Sequence, residues 1–166
     1  GLAQGAQPII SYNYGAGNSN RVRRAYRLLL ICSVCYAMLF CLLIQLFPGV
    51  FAAIFTSNAE LLAFTKPMLR IYTLALGLFG IQIACQMTFT ALGNAKASII
   101  VAVMRKFILL LPLIYMMPHL YTADLTKAVF MAEPVADVLA VAFTGVLFFF
   151  EFRKALRAMP KSEKKS

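Results

Sequence analysis

The chain has 166 residues, of which 61% are hydrophobic, and it carries a formal net charge of +10. A soluble domain is usually about 45–50% apolar, and here the excess is collected into uncharged runs such as residues 28–47 and 71–92, which excludes an ordinary soluble domain. Each run can cross a hydrocarbon core about 30 Å thick, so we predict an all-α, polytopic transmembrane helix bundle.

The basic residues lie in short patches between the apolar runs rather than on one face. This distribution is typical of membrane topology and argues against nucleic-acid binding. The first loop, the third loop with the start of the helix that follows it, and the C-terminal tail together hold thirteen of the sixteen basic residues. The second and fourth loops, with the adjoining helix starts, hold the other three. The positive-inside rule therefore predicts that the first loop, the third loop and the C-terminus lie in the cytoplasm.

Five apolar segments follow one another along the chain. We predict a partial N-terminal span and four full spans, at about residues 1–14, 25–47, 67–92, 97–117 and 127–150. We expect residues 1–152 to form part of one transmembrane lobe and residues 153–166 to form a basic cytoplasmic tail. Because the chain does not begin with Met, we expect a fragment in which the beginning of the first helix is missing.

The first segment contains several residues that disturb helices. Gly1 and Gly5 have the spacing that lets a neighbouring helix approach closely. Pro8 lacks a backbone N–H, so it bends a helix and frees carbonyl groups. These residues predict a bent, cavity-lining helix, and the alternative is a structural helix end with a tight turn at residues 15–17.

Four glutamines are candidates for the lining of a substrate cavity. Gln4 and Gln7 lie beside the carbonyl groups that Pro8 frees, whereas Gln82 and Gln86 are one helical turn apart within a span. Side chains four residues apart face the same direction, and in a membrane that direction is the bundle or a cavity rather than lipid. Interhelical hydrogen bonding is the alternative.

Local signals also mark helix ends and bends. Ser57 and Glu60 have the spacing of a capping box, which predicts a helix start. Gly93 predicts a helix end, since glycine adopts the left-handed conformation without steric cost. We predict that Pro112 and Pro134 bend the two spans that contain them.

Glu133 and Asp137 are the strongest functional signal in the sequence. They are four residues apart, so they project from one face of the last span, and an Asp at the centre of a span costs about 2.5–3.5 kcal/mol on insertion scales. Two close carboxylates favour proton uptake. We predict a role in ion or proton coupling, with Asp137 the deeper group, and the alternative is structural pairing with Arg105 or Arg70.

Other reactive or charged side chains have simpler interpretations. We predict that Arg105 and Lys106 lie near the cytoplasmic end of their span and extend their charges to the membrane surface, with a bond from Arg105 to a carboxylate as the alternative. Cys32 and Cys35 form a C-x-x-C pattern without a nearby His or acid, which favours packing over metal binding. We predict neither an enzyme nor a bound metal or cofactor.

The segment GLAQGAQPIISYNYGAGNSNRVRRA resembles the end of the eighth helix and the following basic loop of bacterial MATE (multidrug and toxic compound extrusion) transporters. The resemblance continues in order through FPGVFAAIFTSNAELL, LRIYTLALGLFGIQIACQMTFTALGNAKASI, RKFILLLPLIYMMP and AEPVADVLAVAFTGVLFFFEFRKAL. It implies a twelve-helix transporter with two six-helix lobes, of which this chain covers the second part of the C-terminal lobe.

The resemblance also implies an activity. Such a transporter is an antiporter of the bacterial inner membrane that exports cationic or amphipathic drugs and xenobiotics in exchange for Na⁺ or H⁺ by rocking-bundle alternating access. Its partners would be membrane lipids, cationic substrates and the N-terminal lobe of the same protein, and the fragment alone would be inactive. Some members carry an acidic cation-site residue in the tenth helix, where this chain has no Asp or Glu.

Two alternatives remain from the sequence. One is a lipid-linked oligosaccharide flippase of the same superfamily, and the other is a free-standing structural membrane protein. The two acidic residues in the last span favour cationic cargo over a pyrophosphate-linked lipid.

Overall fold

The computed structural model describes residues 1–120, 122 and 124–159, and these residues form helices without a β-strand. A π-helical segment, Met104–Leu110, lies between the sixth and seventh α-helices. The α-helices are α1 (Leu2–Gly15), α2 (Ser19–Leu46), α3 (Pro48–Ala53), α4 (Ala59–Tyr72), α5 (Leu76–Ala91), α6 (Ala95–Val103), α7 (Leu111–Leu120) and α8 (Leu125–Ala158).

Among the described residues, three helical rods are long and apolar enough to cross a membrane: α2, α8 and the continuous Ala95–Leu120 stretch, here called the α6–α7 rod. Helices α4 and α5 together form a fourth when they are counted as one broken span with a bend of 51°. The predicted all-α, polytopic transmembrane bundle is thereby confirmed.

The helix ends differ from the predicted span limits in two places. Helix α2 begins at Ser19 rather than near residue 25, because the Asn18 side chain accepts a hydrogen bond from the Arg21 N–H and caps it. Helix α8 continues to Ala158, so the predicted tail begins as helix. Residues 160–166 of that tail lie outside the described residues.

The core is built around α5, which packs against α1, α2 and α8. Small side chains make these approaches possible, as lipid-embedded helices require. On α8, buried alanines recur every four residues at positions 128, 132, 136 and 140. At one end of the bundle, the Tyr26 ring stacks on Phe148 with 4.5 Å between centroids and ties α2 to α8.

The start of α4 corrects one sequence prediction. Asn58, not Ser57, caps the helix, because its side-chain oxygen accepts hydrogen bonds from the N–H groups of Glu60 and Leu61 at 2.9 and 3.4 Å. The helix therefore begins at Ala59, one residue later than a Ser57 cap would place it. Pro67 lies inside this helix rather than at its start.

The span predicted at residues 67–92 contains a helix break between Tyr72 and Leu76. A break inside a membrane persists only where the freed carbonyl groups find partners in the protein. Two side chains of α2 provide them. Gln45 Nε2 donates to the Arg70 carbonyl at 2.8 Å, and the Cys41 thiol donates to the Thr73 carbonyl at 3.4 Å.

The stabilising contribution of the Gln45 amide to this break can be tested by substitution. We expect Gln45→Leu to lower the free energy of unfolding by about 1 kcal/mol, because the Arg70 carbonyl loses its side-chain donor. Unfolding of the full-length protein in mixed micelles measures the change. Gln86→Leu is the matched control, since the Gln86 side chain makes no hydrogen bond within the described residues, and an equal loss in both variants would contradict the role of Gln45.

The turn between α5 and α6 fixes the opposite end of α5. Gly93 has a φ of 74°, the left-handed conformation that glycine adopts at helix ends, as predicted. Asn94 caps α6 by accepting from the Ala97 N–H at 3.2 Å, and its amide donates to Glu151 Oε2 at 2.9 Å. This turn is therefore tied to the last part of α8.

Candidate functional site

Arg105 forms an ion-paired cluster with Glu133 and Asp137 inside the bundle. Its Nη2 lies 3.0 Å from Glu133 Oε1 and 2.6 Å from Asp137 Oδ1, and its Nε donates to the same Asp137 oxygen at 2.7 Å. The three side chains are only 13, 12 and 8% exposed. One guanidinium thus joins two carboxylates, and we call these three residues the Arg105 cluster.

Phe79 and Lys106 also contact the cluster. The guanidinium of Arg105 lies over the Phe79 ring, 4.6 Å from its centroid, which extends the contact to α5. Lys106 Nζ lies 4.0 Å from Glu133 Oε1, but its side chain is 55% exposed. Lys106 is therefore a weaker partner, and Asp137 contacts Arg105 alone among the described cations.

The local sequence explains how these groups meet. Glu133 and Asp137 lie one turn apart on α8, and Arg105 is the second residue of the π segment. Pro112 follows that segment closely. A proline lacks the N–H for the helical bond and its ring collides with the carbonyl four residues earlier, and the wider π turns accommodate both effects. The π turns also set the direction in which Arg105 projects.

The prediction that Arg105 extends its charge to the membrane surface is wrong. Arg105 lies ten residues after Ala95, the first residue of its rod, and Asp137 lies twelve residues after Leu125. At 1.5 Å per residue these positions are roughly 15–18 Å from the nearer helix start, close to the middle of a hydrocarbon core. Arg105 is instead neutralised by the two carboxylates, which was the stated alternative.

The other pairing considered for Asp137, with Arg70, does not occur in the structure. Arg70 Nε donates to the Gln45 carbonyl at 3.2 Å, next to the α4–α5 break. Sequence reasoning missed the roles of Gln45 and Cys41 at that break. The available signal in the sequence was Gln45 itself, a polar residue within an apolar run.

The four glutamines predicted to line a cavity occupy different environments. Gln82 is 2% exposed and its Oε1 has no hydrogen-bond partner among the described residues, whereas Gln86 and Gln7 are half-buried and Gln4 is exposed. A groove of about 320 Å³ lies between α1, α2 and α5, but none of the four lines it. Their shared cavity stays a prediction.

The glycines and prolines predicted to pack or bend helices also differ among themselves. A Cβ added at Gly1 or Gly5 has nothing within 4 Å in the described chain, so their packing role stays a prediction. Helix α1 continues through Pro8, and Pro134 is buried inside α8. A close approach to a neighbouring backbone occurs instead at Gly80, where an added Cβ would lie 2.6 Å from the Ser33 carbonyl oxygen.

The cysteines make no metal or disulfide site within the described residues. Cys32 and Cys35 are exposed and free. The buried Cys85 thiol and the Tyr26 hydroxyl share a hydrogen bond of 3.6 Å, so this cysteine contributes to packing between α2 and α5.

Comparisons with known proteins agree with this fold. The MatE family profile matches residues 1–116. The chain superposes on an inward-facing MATE family multidrug resistance transporter of the MOP superfamily with a TM-score of 0.85 and 17% identity, covering 95% of this chain and 36% of that one. A search of curated protein sequences gave no significant match.

Two further solved structures are similar. The MATE multidrug transporter DinF-BH, solved as a complex, gives a TM-score of 0.82 at 29% identity over 94% of this chain and 34% of that one. A mutant of the Vibrio cholerae MATE transporter VcmN gives 0.81 at 21% identity over 92% and 34%. The chain therefore spans about a third of the length of the transporters that it matches.

Proposed function

The chain belongs to the MATE family, whose members are transporters rather than enzymes, and we propose that it forms part of the C-terminal lobe of an ion-driven exporter. Its substrates are cationic or amphipathic compounds, and its other lobe is the N-terminal half of the same transporter. The basic end of the bundle, with the start of α2 and the end of α8, faces the cytoplasm of a bacterial inner membrane, as the positive-inside rule requires.

The Arg105 cluster is the observation that carries ion coupling in this proposal. Its one guanidinium and two carboxylates leave one negative charge that Arg105 does not compensate, in a site that is mostly buried. Burying an uncompensated charge is costly, and binding one proton or one Na⁺ removes that cost. Lys106 Nζ is 4.0 Å from Glu133 Oε1 and its side chain is 55% exposed, so solvent screens its charge and it offsets the remaining negative charge only weakly.

The same contacts couple ion binding to movement of the helices. Asp137 and Glu133 belong to α8, whereas Arg105 belongs to the α6–α7 rod. A proton taken up by the Asp137 carboxylate removes the ionic part of its bond with Arg105 and leaves only Glu133 as the charged partner. The link between the two rods weakens, so the ion biases which arrangement of the rods is populated.

The test is dye export by the full-length transporter. We expect wild type to lower the accumulation of ethidium, a fluorescent cation, and Asp137→Asn to return accumulation close to that of cells without the transporter. The amide keeps an oxygen that can accept from Arg105 but cannot take up a proton or hold a charge. The measurement is ethidium fluorescence at equal expression of each variant.

Glu60→Gln is the matched control, because Glu60 is an exposed carboxylate at the start of α4. We expect it to export dye like wild type. Normal export by Asp137→Asn would remove Asp137 from coupling, and absence of ethidium export by wild type would contradict multidrug export. In proteoliposomes, an imposed pH gradient or Na⁺ gradient should drive uptake of the dye, and failure of both would contradict ion-driven antiport.

A further inference from the structure

A basic groove lies between the start of α2 and the end of α8, away from the Arg105 cluster. Its volume is about 280 Å³. Three arginines and three mostly apolar side chains line it, and we call the apolar side chains its floor. The lining residues are Arg23, Arg27 and Arg153, with Tyr26, Phe152 and Leu156.

The three arginines have no carboxylate partner among the described residues. All three are exposed. Glu151, the described acid closest to Arg153 along the chain, is held by the Asn94 amide at 2.9 Å. Three like charges around one small groove repel one another, so an anion that enters the groove is stabilised by all of them.

The floor of the groove is held in place by aromatic packing. The Tyr26 ring stacks on Phe148 and lies 5.2 Å from the Phe152 centroid, and the Phe148 and Phe152 centroids are 4.8 Å apart. The Tyr26 hydroxyl is bonded to Cys85. This packing holds α2 against α8, so the two helix segments that carry the arginines stay next to each other.

An exposed apolar wall adjoins the groove. The guanidinium of Arg153 lies 4.7 Å from the centroid of Phe149. Phe149 and Phe150 are 54 and 65% exposed and lie about one turn before Arg153 on α8, in the direction of the membrane interior. A second groove is lined by Phe149 and Phe150 together with Lys154 and Arg157. Arg153 lines both grooves and so connects them. Positive charge thus lies directly above exposed aromatic surface.

We propose that this groove binds the phosphate headgroup of an anionic phospholipid, whose acyl chains lie along Phe149 and Phe150. Arginines bind phosphate oxygens with two parallel hydrogen bonds, and basic pockets between transmembrane helices suit anionic headgroups. A free phosphate ion would use the arginines but not the exposed rings, so the apolar wall favours a lipid. The site stands independently of ion coupling at Asp137.

The test uses the purified full-length transporter and counts bound phosphatidylglycerol by native mass spectrometry across a lipid titration. We expect the double variant Arg23→Gln, Arg27→Gln to bind it about 30-fold more weakly, since each basic residue near an anionic surface is worth about 1 kcal/mol and 1.4 kcal/mol is a tenfold change. Arg153→Gln, on the other helix, should weaken binding as well.

The matched control is Arg21→Gln, Arg24→Gln, which removes the same charge from the same helix without touching the groove. We expect it to bind within about twofold of wild type. Equal losses in both double variants would overturn the site in favour of a diffuse surface charge. Phosphatidylcholine binding as tight as phosphatidylglycerol, or displacement of the lipid by millimolar inorganic phosphate, would overturn the anionic lipid. Melting temperatures verify that every variant is folded.

Discussion

Arg105→Met in the full-length transporter is expected to lower the free energy of unfolding by about 3–5 kcal/mol, the cost of removing one partner from a buried ion pair. The substitution keeps an apolar side chain of similar length but leaves the Glu133 and Asp137 carboxylates without the guanidinium that contacts both. Both carboxylates are at most 12% exposed, so water cannot replace the lost hydrogen bonds. Equilibrium unfolding in mixed micelles titrated with a denaturing detergent measures the change.

Three further variants separate charge from packing. The neutral combination of Arg105→Met with Glu133→Gln and Asp137→Asn should recover most of the stability, because no buried charge remains unpaired. Arg105→Lys should be intermediate, since an ammonium cannot contact both carboxylates with the planar geometry of a guanidinium. Lys106→Met should change stability by less than about 1 kcal/mol, as an exposed ion pair does. A similarly small effect of Arg105→Met would show that the cluster is solvated.

The bundle could be predicted because the cost of placing backbone or charged groups in lipid depends on the local sequence. Long uncharged runs and the asymmetry of Lys and Arg identify spans without knowledge of tertiary contacts. The break between α4 and α5 is different. It is stabilised by Gln45 and Cys41, which lie some thirty residues earlier on α2, and neither a propensity nor a hydropathy window relates such distant residues.

The candidate site was predictable in part for the same reason. Two carboxylates within one span identified Glu133 and Asp137, but their partner depends on geometry that the sequence does not contain. The predicted position of Arg105 near the membrane surface was wrong because the π segment and the opposing carboxylates decide where its side chain goes. The small-residue pattern at Gly1 and Gly5 likewise gave a spacing without saying which helix face has a neighbour.

Gly80 marks such a neighbour, and Gly80→Ala is expected to destabilise the full-length protein by about 1–3 kcal/mol. The added Cβ would lie 2.6 Å from the Ser33 carbonyl oxygen and 3.0 Å from the Val34 Cα. Both are backbone atoms, so no side-chain rotation relieves the overlap and α2 must move away from α5. The expected loss outweighs the gain of about 0.8–1 kcal/mol that alanine gives over glycine inside a helix.

Two other glycines provide controls for this effect in the same unfolding experiment. Gly145→Ala should be neutral or stabilising, because a Cβ there has nothing within 4 Å. Gly77→Ala meets the end of the flexible Met38 side chain, so its cost should be largely removed in a Met38→Ala background. Gly80→Ala should not be rescued by Ser33→Ala, since the colliding oxygen belongs to the main chain. Rescue in that background would mean that α2 and α5 are separated by side chains rather than by direct backbone contact.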